Sequence, residues 1–121
     1  MASILVLDDS ASVRDAIRSV LTGLGHVVKE AANGVQGIGL AEHAQFDLIL
    51  TDLNMPEMDG LTFIQHIRQL PRHNGVPIVF ITTESSPAMM QQAKKAGATG
   101  WIVKPFSPDQ LGRVVTKVLA S

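Results

Sequence analysis

Polar side chains that could handle phosphate stand at the ends of short apolar blocks in this sequence. They are Asp8 and Asp9 after the first block, Asp52 after the third, Thr82 at the end of the fourth and Lys104 after the fifth. Carboxylate oxygens without histidine or cysteine favour a hard cation such as Mg²⁺, which often bridges one or two carboxylates to phosphate oxygens. A carboxylate beside Mg²⁺, a lysine and a hydroxyl suits phosphoryl transfer, in which aspartate can be the covalent acceptor. The residue types therefore predict phosphoryl chemistry if the fold brings them together.

Five apolar blocks alternate with amphipathic stretches along the chain. The blocks predict β-strands at Ile4–Leu7, Val27–Ala31, Leu48–Thr51, Ile78–Thr82 and Trp101–Val103. Their continuous apolar character is typical of parallel strands that are covered on both faces. Five strand–helix units in sequence predict a doubly wound α/β fold, with a five-stranded parallel sheet between two helix layers.

The stretches between the blocks have the apolar spacing of helices. The weakest candidate is Gly34–Ala44, because Gly37 and Gly39 each cost about 1 kcal/mol relative to alanine inside a helix. The ends of the other helices have clearer signals. A serine cap followed by proline predicts the start of a helix, and a left-handed glycine predicts its end. These signals occur at Ser86-Pro87 and Ser107-Pro108 for starts, and at Gly25 and Gly97 for ends.

The carboxyl ends of parallel strands lie at one edge of a sheet, where open α/β folds bind their ligands. This rule gathers the five polar residues into one predicted cluster. Two carboxylates about 4 Å apart repel by about 4 kcal/mol at an effective dielectric constant near 20, so the cluster needs a proton, a cation or Lys104. A single acid at a strand end is usually a loop charge or a cap, and Asp8 or Asp9 could cap the first helix. Polar residues at four strand ends together favour a site.

Composition excludes several classes of protein. The 121 residues carry 10 Lys and Arg against 11 Asp and Glu, and no cysteine. This length fits one domain, residues 1–121, and the balanced charge argues against a nucleic-acid binder that uses a bulk positive field. The lack of cysteine excludes disulfides, a thiolate nucleophile and a zinc ribbon. No apolar stretch reaches the ~20 residues of a membrane span, and no signal peptide is recognisable, so we expect a cytoplasmic protein.

Four motifs surround the predicted strand ends. They are Leu7-Asp8-Asp9-Ser10, the run LTDLNMPEMDG at 50–60, Ile81-Thr82-Thr83-Glu84, and Ala96-Gly97-Ala98 followed by Val103-Lys104-Pro105-Phe106. In this order they resemble the receiver domain of two-component response regulators, over essentially the whole chain. Stand-alone chemotaxis regulators of the CheY type are the most similar members, through Asn54, Glu84 and the spacing of Trp101 from Lys104. The resemblance implies the flavodoxin-like (CheY-like) strand order 2-1-3-4-5.

The resemblance also implies a role for each residue of the cluster. Asp52 is the expected phosphoacceptor, which attacks a phosphohistidine on a sensor histidine kinase. Asp9 and Asp52 are expected to bind Mg²⁺, or alternatively Mn²⁺, together with the backbone carbonyl of Asn54, while Asp8 contacts the ion through a water. Lys104 is expected to pair with Asp52 and, after modification, with a phosphoryl oxygen.

A switch follows from the same resemblance. Thr82 is expected to move toward the phosphoryl group, and Trp101 to turn into the space that Thr82 leaves, although an indole is too bulky for full burial. Asn54 and Glu84 are expected to tune the rate of dephosphorylation. The bond between Lys104 and Pro105 is expected to be cis. The read-out surface comprises the fourth helix, fifth strand and fifth helix, with Met89, Met90, Lys94, Lys95, Trp101 and Phe106.

These implications describe a signalling module that catalyses only its own phosphorylation and dephosphorylation. The expected partners are a sensor histidine kinase and a downstream protein, such as the flagellar motor switch or a phosphotransfer protein. The module is expected to be a monomer that binds neither nucleic acid nor membrane.

Other readings of the sequence stay open. The receiver could be a phosphorelay intermediate, a cell-cycle regulator or a docking module that is not phosphorylated. A Mg²⁺-dependent phosphohydrolase of the haloacid dehalogenase type requires an acid two residues after the nucleophile, where this chain has Asn54. Flavin or nucleotide binding is disfavoured, because Gly34, Gly37 and Gly39 do not form a turn after the first strand. The histidines lack metal-ligand spacing and are expected on the solvated surface, at His26, His43, His66 and His73.

Overall fold

Strands and helices alternate strictly in the computed structural model, which describes residues 1–121. The strands are β1 (Ser3–Leu7), β2 (Val27–Ala31), β3 (Leu48–Thr51), β4 (Ile78–Thr82) and β5 (Gly100–Val103). The helices are α1 (Ala11–Gly23), α2 (Gly34–His43), α3 (Gly60–Gln69), α4 (Pro87–Ala96) and α5 (Pro108–Ala120). None of these helices has the length and apolar character needed to cross a bilayer.

The five strands form one parallel sheet in the order β2-β1-β3-β4-β5, so the predicted fold class and strand order are confirmed. The register aligns the carboxyl ends of the strands: Leu7 lies opposite both Ala31 and Thr51, and Thr82 lies opposite Val103. Because β1 and β3 are neighbours and end level with each other, the residues that follow them emerge at the same edge of the sheet.

The core has two layers because successive side chains of a strand point to opposite faces of the sheet. On β1, Leu5 and Leu7 pack into the layer under α2, α3 and α4, whereas Ile4 and Val6 pack into the layer under α1 and α5. Strands β3 and β4 are buried along their whole length. The expectation of two covered faces therefore holds for the central strands.

That expectation is wrong for β2, and it fails in part for the other edge strand, β5, where Val103 is 39% exposed. Val27 is 45% exposed, and exposed and half-buried residues alternate along the strand up to Ala31. The reason is its position, since β2 is an edge strand that pairs only with β1. Exposed Lys29 places a charge on this edge, which discourages pairing with a further strand.

Helix α1 begins with a cap that differs from the two aspartates considered in the sequence. Ser10 is the N-cap, and its hydroxyl accepts a hydrogen bond from the backbone N–H of Val13. Asp8 instead accepts from the N–H of Ser10, which leaves its other oxygen free to face the sheet edge. The other predicted helix starts are confirmed by the N-caps Ser86 and Ser107. The predicted helix ends are confirmed by left-handed φ values of 90° at Gly25 and 106° at Gly97.

The two interior glycines of α2 differ in their surroundings. A Cβ on Gly37 would lie 2.5 Å from Cδ2 of Leu7 and 3.0 Å from the ring of Phe63, both buried in the core. A Cβ on Gly39 would meet nothing within 4 Å. Gly37 thus lets α2 approach the sheet closely, which compensates for its low helix propensity. The helix ends at His43, one residue before the predicted end.

We therefore expect different effects from alanine at these two positions. Gly39→Ala should raise the free energy of unfolding by about 1 kcal/mol, because alanine is the better helix former and the added methyl meets no neighbour. Gly37→Ala should be less stable than Gly39→Ala by at least ~1 kcal/mol, because overpacking opposes the gain in propensity. Urea unfolding of both variants measures the difference, and equal stabilities would contradict close packing at Gly37.

One histidine lies in the core, contrary to the expectation of a solvated surface. His43 and His66 are exposed and His26 is half-buried, but His73 is 0% exposed. The ring of His73 packs on Phe46 and accepts a hydrogen bond of 3.1 Å from the Phe46 N–H through Nε2. Burial lowers the pKa of His73, and the nearby charge of Arg72 lowers it further. Spacing along the chain contained no signal for this contact, because Phe46 and His73 meet only in the folded molecule.

Candidate functional site

The acidic pocket, which we define as Asp8, Asp9 and Asp52, lies at the carboxyl edge of the sheet. Asp8 and Asp9 follow β1, and Asp52 follows the neighbouring β3. Each residue contributes a carboxylate oxygen, and the three oxygens lie within 4.8 Å of one another. Asp8 and Asp52 are buried and Asp9 is exposed. The convergence of the three carboxylates that was predicted from the strand ends is therefore found.

Lys104 approaches the same pocket from the loop after β5. Its Nζ lies 2.7 Å from Oδ2 of Asp8 and 2.8 Å from Oδ2 of Asp52. The lysine side chain is 16% exposed and those of Asp8 and Asp52 are 2% and 9% exposed. One cation thus lies between two nearly buried carboxylates, and its charge reduces the repulsion expected for them.

Backbone groups hold the remaining oxygens of the two buried aspartates. The N–H of Ser10 donates to Oδ1 of Asp8 at 2.9 Å, and the N–H of Asn54 donates to Oδ1 of Asp52 at 3.2 Å. In each carboxylate, one oxygen therefore accepts a hydrogen bond from a backbone N–H and the other accepts one from Lys104. This arrangement fixes both carboxylate planes and presents their Lys104-bound oxygens to each other.

Burial affects the protonation of the pocket. Burial is the largest influence on Asp8 and raises its pKa above the ordinary value, although the hydrogen bond from Lys104 acts in the opposite direction. For Lys104, burial alone would lower the pKa, but its hydrogen bonds to Asp52 and Asp8 and the charges of these residues together raise it. The pocket therefore favours a charged lysine and disfavours the ionised form of Asp8.

We expect Asp8→Asn to stabilise the metal-free protein at neutral pH. Because the pKa of Asp8 is raised on folding, its contribution to stability is greatest below the ordinary carboxyl pKa and is lost as the pH rises through the raised value. Asparagine resembles the protonated side chain of Asp8, so the variant does not lose this stability as the pH rises. The free energy of unfolding should rise by about 1 kcal/mol at pH 7, a common size for one substitution.

Chemical unfolding with EDTA at pH 7 and at pH 3.5 measures this effect. The difference between Asp8→Asn and the unsubstituted protein should shrink at the lower pH, because a larger fraction of Asp8 is then protonated in both the folded and the unfolded state. Asp109→Asn, at an exposed position on α5, is the control for removal of one carboxylate outside the pocket. A variant that is less stable at pH 7 would contradict the direction of the pKa shift.

The ligand atoms of the pocket fit a hard divalent cation. They are carboxylate oxygens only, and they converge closely enough for one ion to contact several of them. Mg²⁺ prefers such oxygens and retains waters that phosphate oxygens can replace. The exposure of Asp9 leaves an open side, through which an ion and a phosphoryl group can enter.

Thr82 and Trp101 lie on the adjacent strands β4 and β5. Thr82 is fully buried, and its hydroxyl accepts a hydrogen bond of 3.2 Å from the N–H of Glu84. The indole N–H of Trp101 donates to the carbonyl of Glu84 at 3.0 Å, and its ring packs on Phe80 with a centroid separation of 5.7 Å. Both side chains therefore contact the segment around Glu84, and Trp101 is partly exposed.

Loops complete the edge of the site. The bond between Lys104 and Pro105 is cis, as the resemblance implied. In the loop between β3 and α3, Glu57 has a left-handed φ of 69°, and the N–H of Met58 donates to the carbonyl of Pro56 at 2.7 Å. A Cβ on Gly60 would lie 2.6 Å from the carbonyl oxygen of Asp52, so only glycine lets this loop pass so close to the pocket. Asn54 lies on the exposed part of the loop.

Two residues behind the pocket are not predicted from the sequence. The guanidinium of Arg14 on α1 donates to the backbone carbonyl of Asp8 and to Glu30. Glu30 is on β2 and was not singled out. An arginine one helical turn after the aspartate pair was the available signal, but its partner could be found only once β2 was placed beside β1.

A parallel sheet in this order, with three acids and a lysine at its carboxyl edge, defines the receiver class of signalling domain. The model of the response regulator receiver domain matches residues 4–116, and the chain belongs to this family. It is thus a receiver domain of two-component systems, a signalling module.

Several named relatives are similar over nearly the full chain. The chemotaxis protein CheY homolog of Campylobacter jejuni is 39% identical over 98% of this chain and 92% of its own length. The structure of Vibrio cholerae chemotaxis protein CheY4 is 41% identical, covers 98% of both chains and superposes with a TM-score of 0.94. The receiver domain of the sensor histidine kinase PA1611 from Pseudomonas aeruginosa, solved with a magnesium ion in its active-site cleft, is 28% identical over 99% and 98% of the two chains, with a TM-score of 0.91.

Proposed function

We propose that residues 1–121 act as one phosphorylation-activated switch, in which Asp52 accepts a phosphoryl group with the help of Mg²⁺. The observation that carries this proposal is the position of Lys104 between Asp8 and Asp52 at 2.7 and 2.8 Å. This lysine can pair with the free carboxylate and then with a phosphoryl oxygen without leaving the pocket. The magnesium ion in the cleft of the related PA1611 receiver supports the choice of metal.

The transfer needs little proton chemistry. An oxygen of the ionised Asp52 attacks the phosphorus of a phosphohistidine on a sensor kinase. A P–O bond forms while the P–N bond breaks, and the imidazole, which carries a proton on its other ring nitrogen, leaves with the electron pair. Asp9, Asp52 and the carbonyl of Asn54 would hold Mg²⁺, with Asp8 contacting it through a water, and the ion would supply charge neutralisation. Lys104 stabilises the charge that the oxygens of the phosphoryl group carry.

Phosphorylation would act on the segment that joins Thr82 to Trp101. The phosphoryl group carries about two negative charges and brings new acceptor oxygens to Asp52, in place of the single charge of the carboxylate. The hydroxyl of Thr82 can donate to such an oxygen, which would reorient it relative to the N–H of Glu84. Trp101 is bonded to the carbonyl of the same Glu84, so movement of this segment changes the position of the indole. The two states then differ in their contacts with phosphate, as a population shift requires.

We infer that the output is chemotactic and uses the surface of α4, β5 and α5. The similarity to proteins named for chemotaxis over nearly the full chain supports this choice. The surface carries the partly exposed Trp101 together with exposed Met90 and Lys94, which suit a protein partner such as the flagellar motor switch. Asn54 and Glu84 would border the route of an attacking water and set the lifetime of the phosphoryl group. Asn54 stands where a phosphohydrolase of the haloacid dehalogenase type has its acid, and an amide cannot take up the proton of that water.

Removal of the metal tests this proposal directly. Incubation of the protein with acetyl phosphate and Mg²⁺ should add ~80 Da, the mass of one phosphoryl group, and should change the fluorescence of Trp101. The same incubation with EDTA should give at most a few per cent of this mass gain, because the transition-state charge is then uncompensated. Intact-protein mass spectrometry measures the gain. Equal phosphorylation in EDTA would refute the metal requirement, and no gain in either condition would refute the proposed function.

A further inference from the structure

Arg14 lies on α1 behind the acidic pocket and contacts two different elements. Its Nε donates to Oε1 of Glu30 on β2 at 3.1 Å, and its Nη1 donates to the backbone carbonyl of Asp8. The arginine side chain is 17% exposed and that of Glu30 is 27% exposed. The guanidinium therefore links the edge strand to the loop that carries two of the three pocket acids.

The carbonyl bonded by Arg14 belongs to the peptide unit that joins Asp8 to Asp9. A peptide unit is planar, so the direction of this carbonyl also determines where the N–H and Cα of Asp9 lie. The preceding N–H, that of Asp8, donates to the carbonyl of Ala31 on β2 at 3.2 Å. Asp9 is the exposed member of the pocket, so its position depends on the backbone more than on packing.

We propose that Arg14 is a positioning residue for the acidic pocket. It sets the direction of the Asp8–Asp9 peptide so that Asp9 faces Asp52, and Glu30 keeps the guanidinium in the required orientation. The planar fork of arginine suits this role, because two N–H groups point at fixed angles toward two acceptors. The inference rests on the proposed function, since it concerns the affinity of the same pocket for Mg²⁺.

Electrostatics and positioning predict opposite results when Arg14 loses its charge. A cation near three carboxylates repels Mg²⁺, so charge alone predicts that Arg14→Met binds Mg²⁺ more tightly. Loss of positioning predicts weaker binding, because Asp9 no longer lies in the arrangement that the ion needs. Substitution of a residue that orients metal ligands typically weakens the affinity for the metal by about 10–100-fold.

Arg18 provides a matched control on the next turn of α1. Its Nη1 lies 2.6 Å from Oε2 of the same Glu30, and its Nη2 pairs with Asp15 at 2.8 Å. Its guanidinium contacts Glu30 and Asp15 and makes no hydrogen bond to the loop after β1. Arg18→Met therefore removes the same charge from the same glutamate and leaves the bond to the Asp8 carbonyl in place.

Calorimetric titration of the three proteins with MgCl₂ tests the inference. Arg14→Met should bind Mg²⁺ about tenfold more weakly than the unsubstituted protein, whereas Arg18→Met should bind with equal or higher affinity. Amide hydrogen exchange of the metal-free proteins should be faster at Asp9 and Ser10 in Arg14→Met alone. If Arg14→Met fails to fold, Arg14→Lys keeps the charge, loses one of the two contacts and should also bind more weakly.

The outcomes separate this inference from the proposed function. Tighter or unchanged Mg²⁺ binding by folded Arg14→Met overturns the positioning role while the proposed function stands. Equal weakening in Arg14→Met and Arg18→Met also overturns it, because the effect would then follow Glu30 and not the carbonyl of Asp8. A lack of Mg²⁺ binding by the unsubstituted protein overturns both.

Discussion

Asp52→Asn should abolish the ~80 Da mass gain from acetyl phosphate and Mg²⁺, together with the associated change in Trp101 fluorescence. An amide oxygen is a poor nucleophile, whereas the ionised carboxylate of Asp52 can attack phosphorus without a base. We expect at least a hundredfold loss in the rate of modification. The fold should survive, since Lys104 retains its ion pair with Asp8 at 2.7 Å and asparagine occupies the same volume.

Two further variants show whether this loss is specific to Asp52. Asp9→Asn removes a proposed metal ligand but keeps the acceptor, so it should slow the modification while raising the Mg²⁺ concentration required. Asp109→Asn, on the exposed surface of α5, should be modified like the unsubstituted protein. A mass gain in Asp52→Asn equal to that of the unsubstituted protein would show that another residue is the acceptor.

The fold and the pocket could both be predicted because their signals are local. The central strands are short, largely apolar runs, and Asp8 and Asp52 directly follow the strands β1 and β3. The parallel topology then places the ends of β1 and β3 side by side, so residues that follow these strands in the sequence are predicted to lie close together. Lys104 could be placed by the same rule, because it follows β5.

The remaining features depend on contacts between distant residues. The core position of His73 arises from its hydrogen bond with Phe46, 27 residues earlier. The contact of Arg14 with Glu30 requires α1 to cross from β1 to β2, and the exposure of β2 requires knowledge of which strand is at the edge. Asp8 and Asp9 were the expected caps of α1 from their residue type, and only the backbone geometry shows that Ser10 is the cap. Composition and periodicity carry no information about such side-chain partners.

Lys104→Met should strongly destabilise the metal-free protein and should make its stability depend on Mg²⁺. The substitution keeps most of the side-chain volume but leaves Asp8 and Asp52, both nearly buried, without their shared cation. Removal of one partner from a buried ion pair commonly costs about 3–5 kcal/mol. We expect a loss of about 3 kcal/mol in EDTA, since Lys104 itself is partly exposed and Asp8 can take up a proton in compensation.

Magnesium distinguishes this electrostatic effect from a packing defect. A divalent cation in the pocket replaces the missing charge, so millimolar Mg²⁺ should restore most of the lost stability in Lys104→Met. The same addition should stabilise the unsubstituted protein less, because there Lys104 competes with the ion for Asp8 and Asp52. Lys117→Met, at an exposed position on α5, should respond like the unsubstituted protein. Urea unfolding with and without Mg²⁺ measures all three, and a Lys104→Met protein that is equally unstable in both conditions would show that its defect lies in packing.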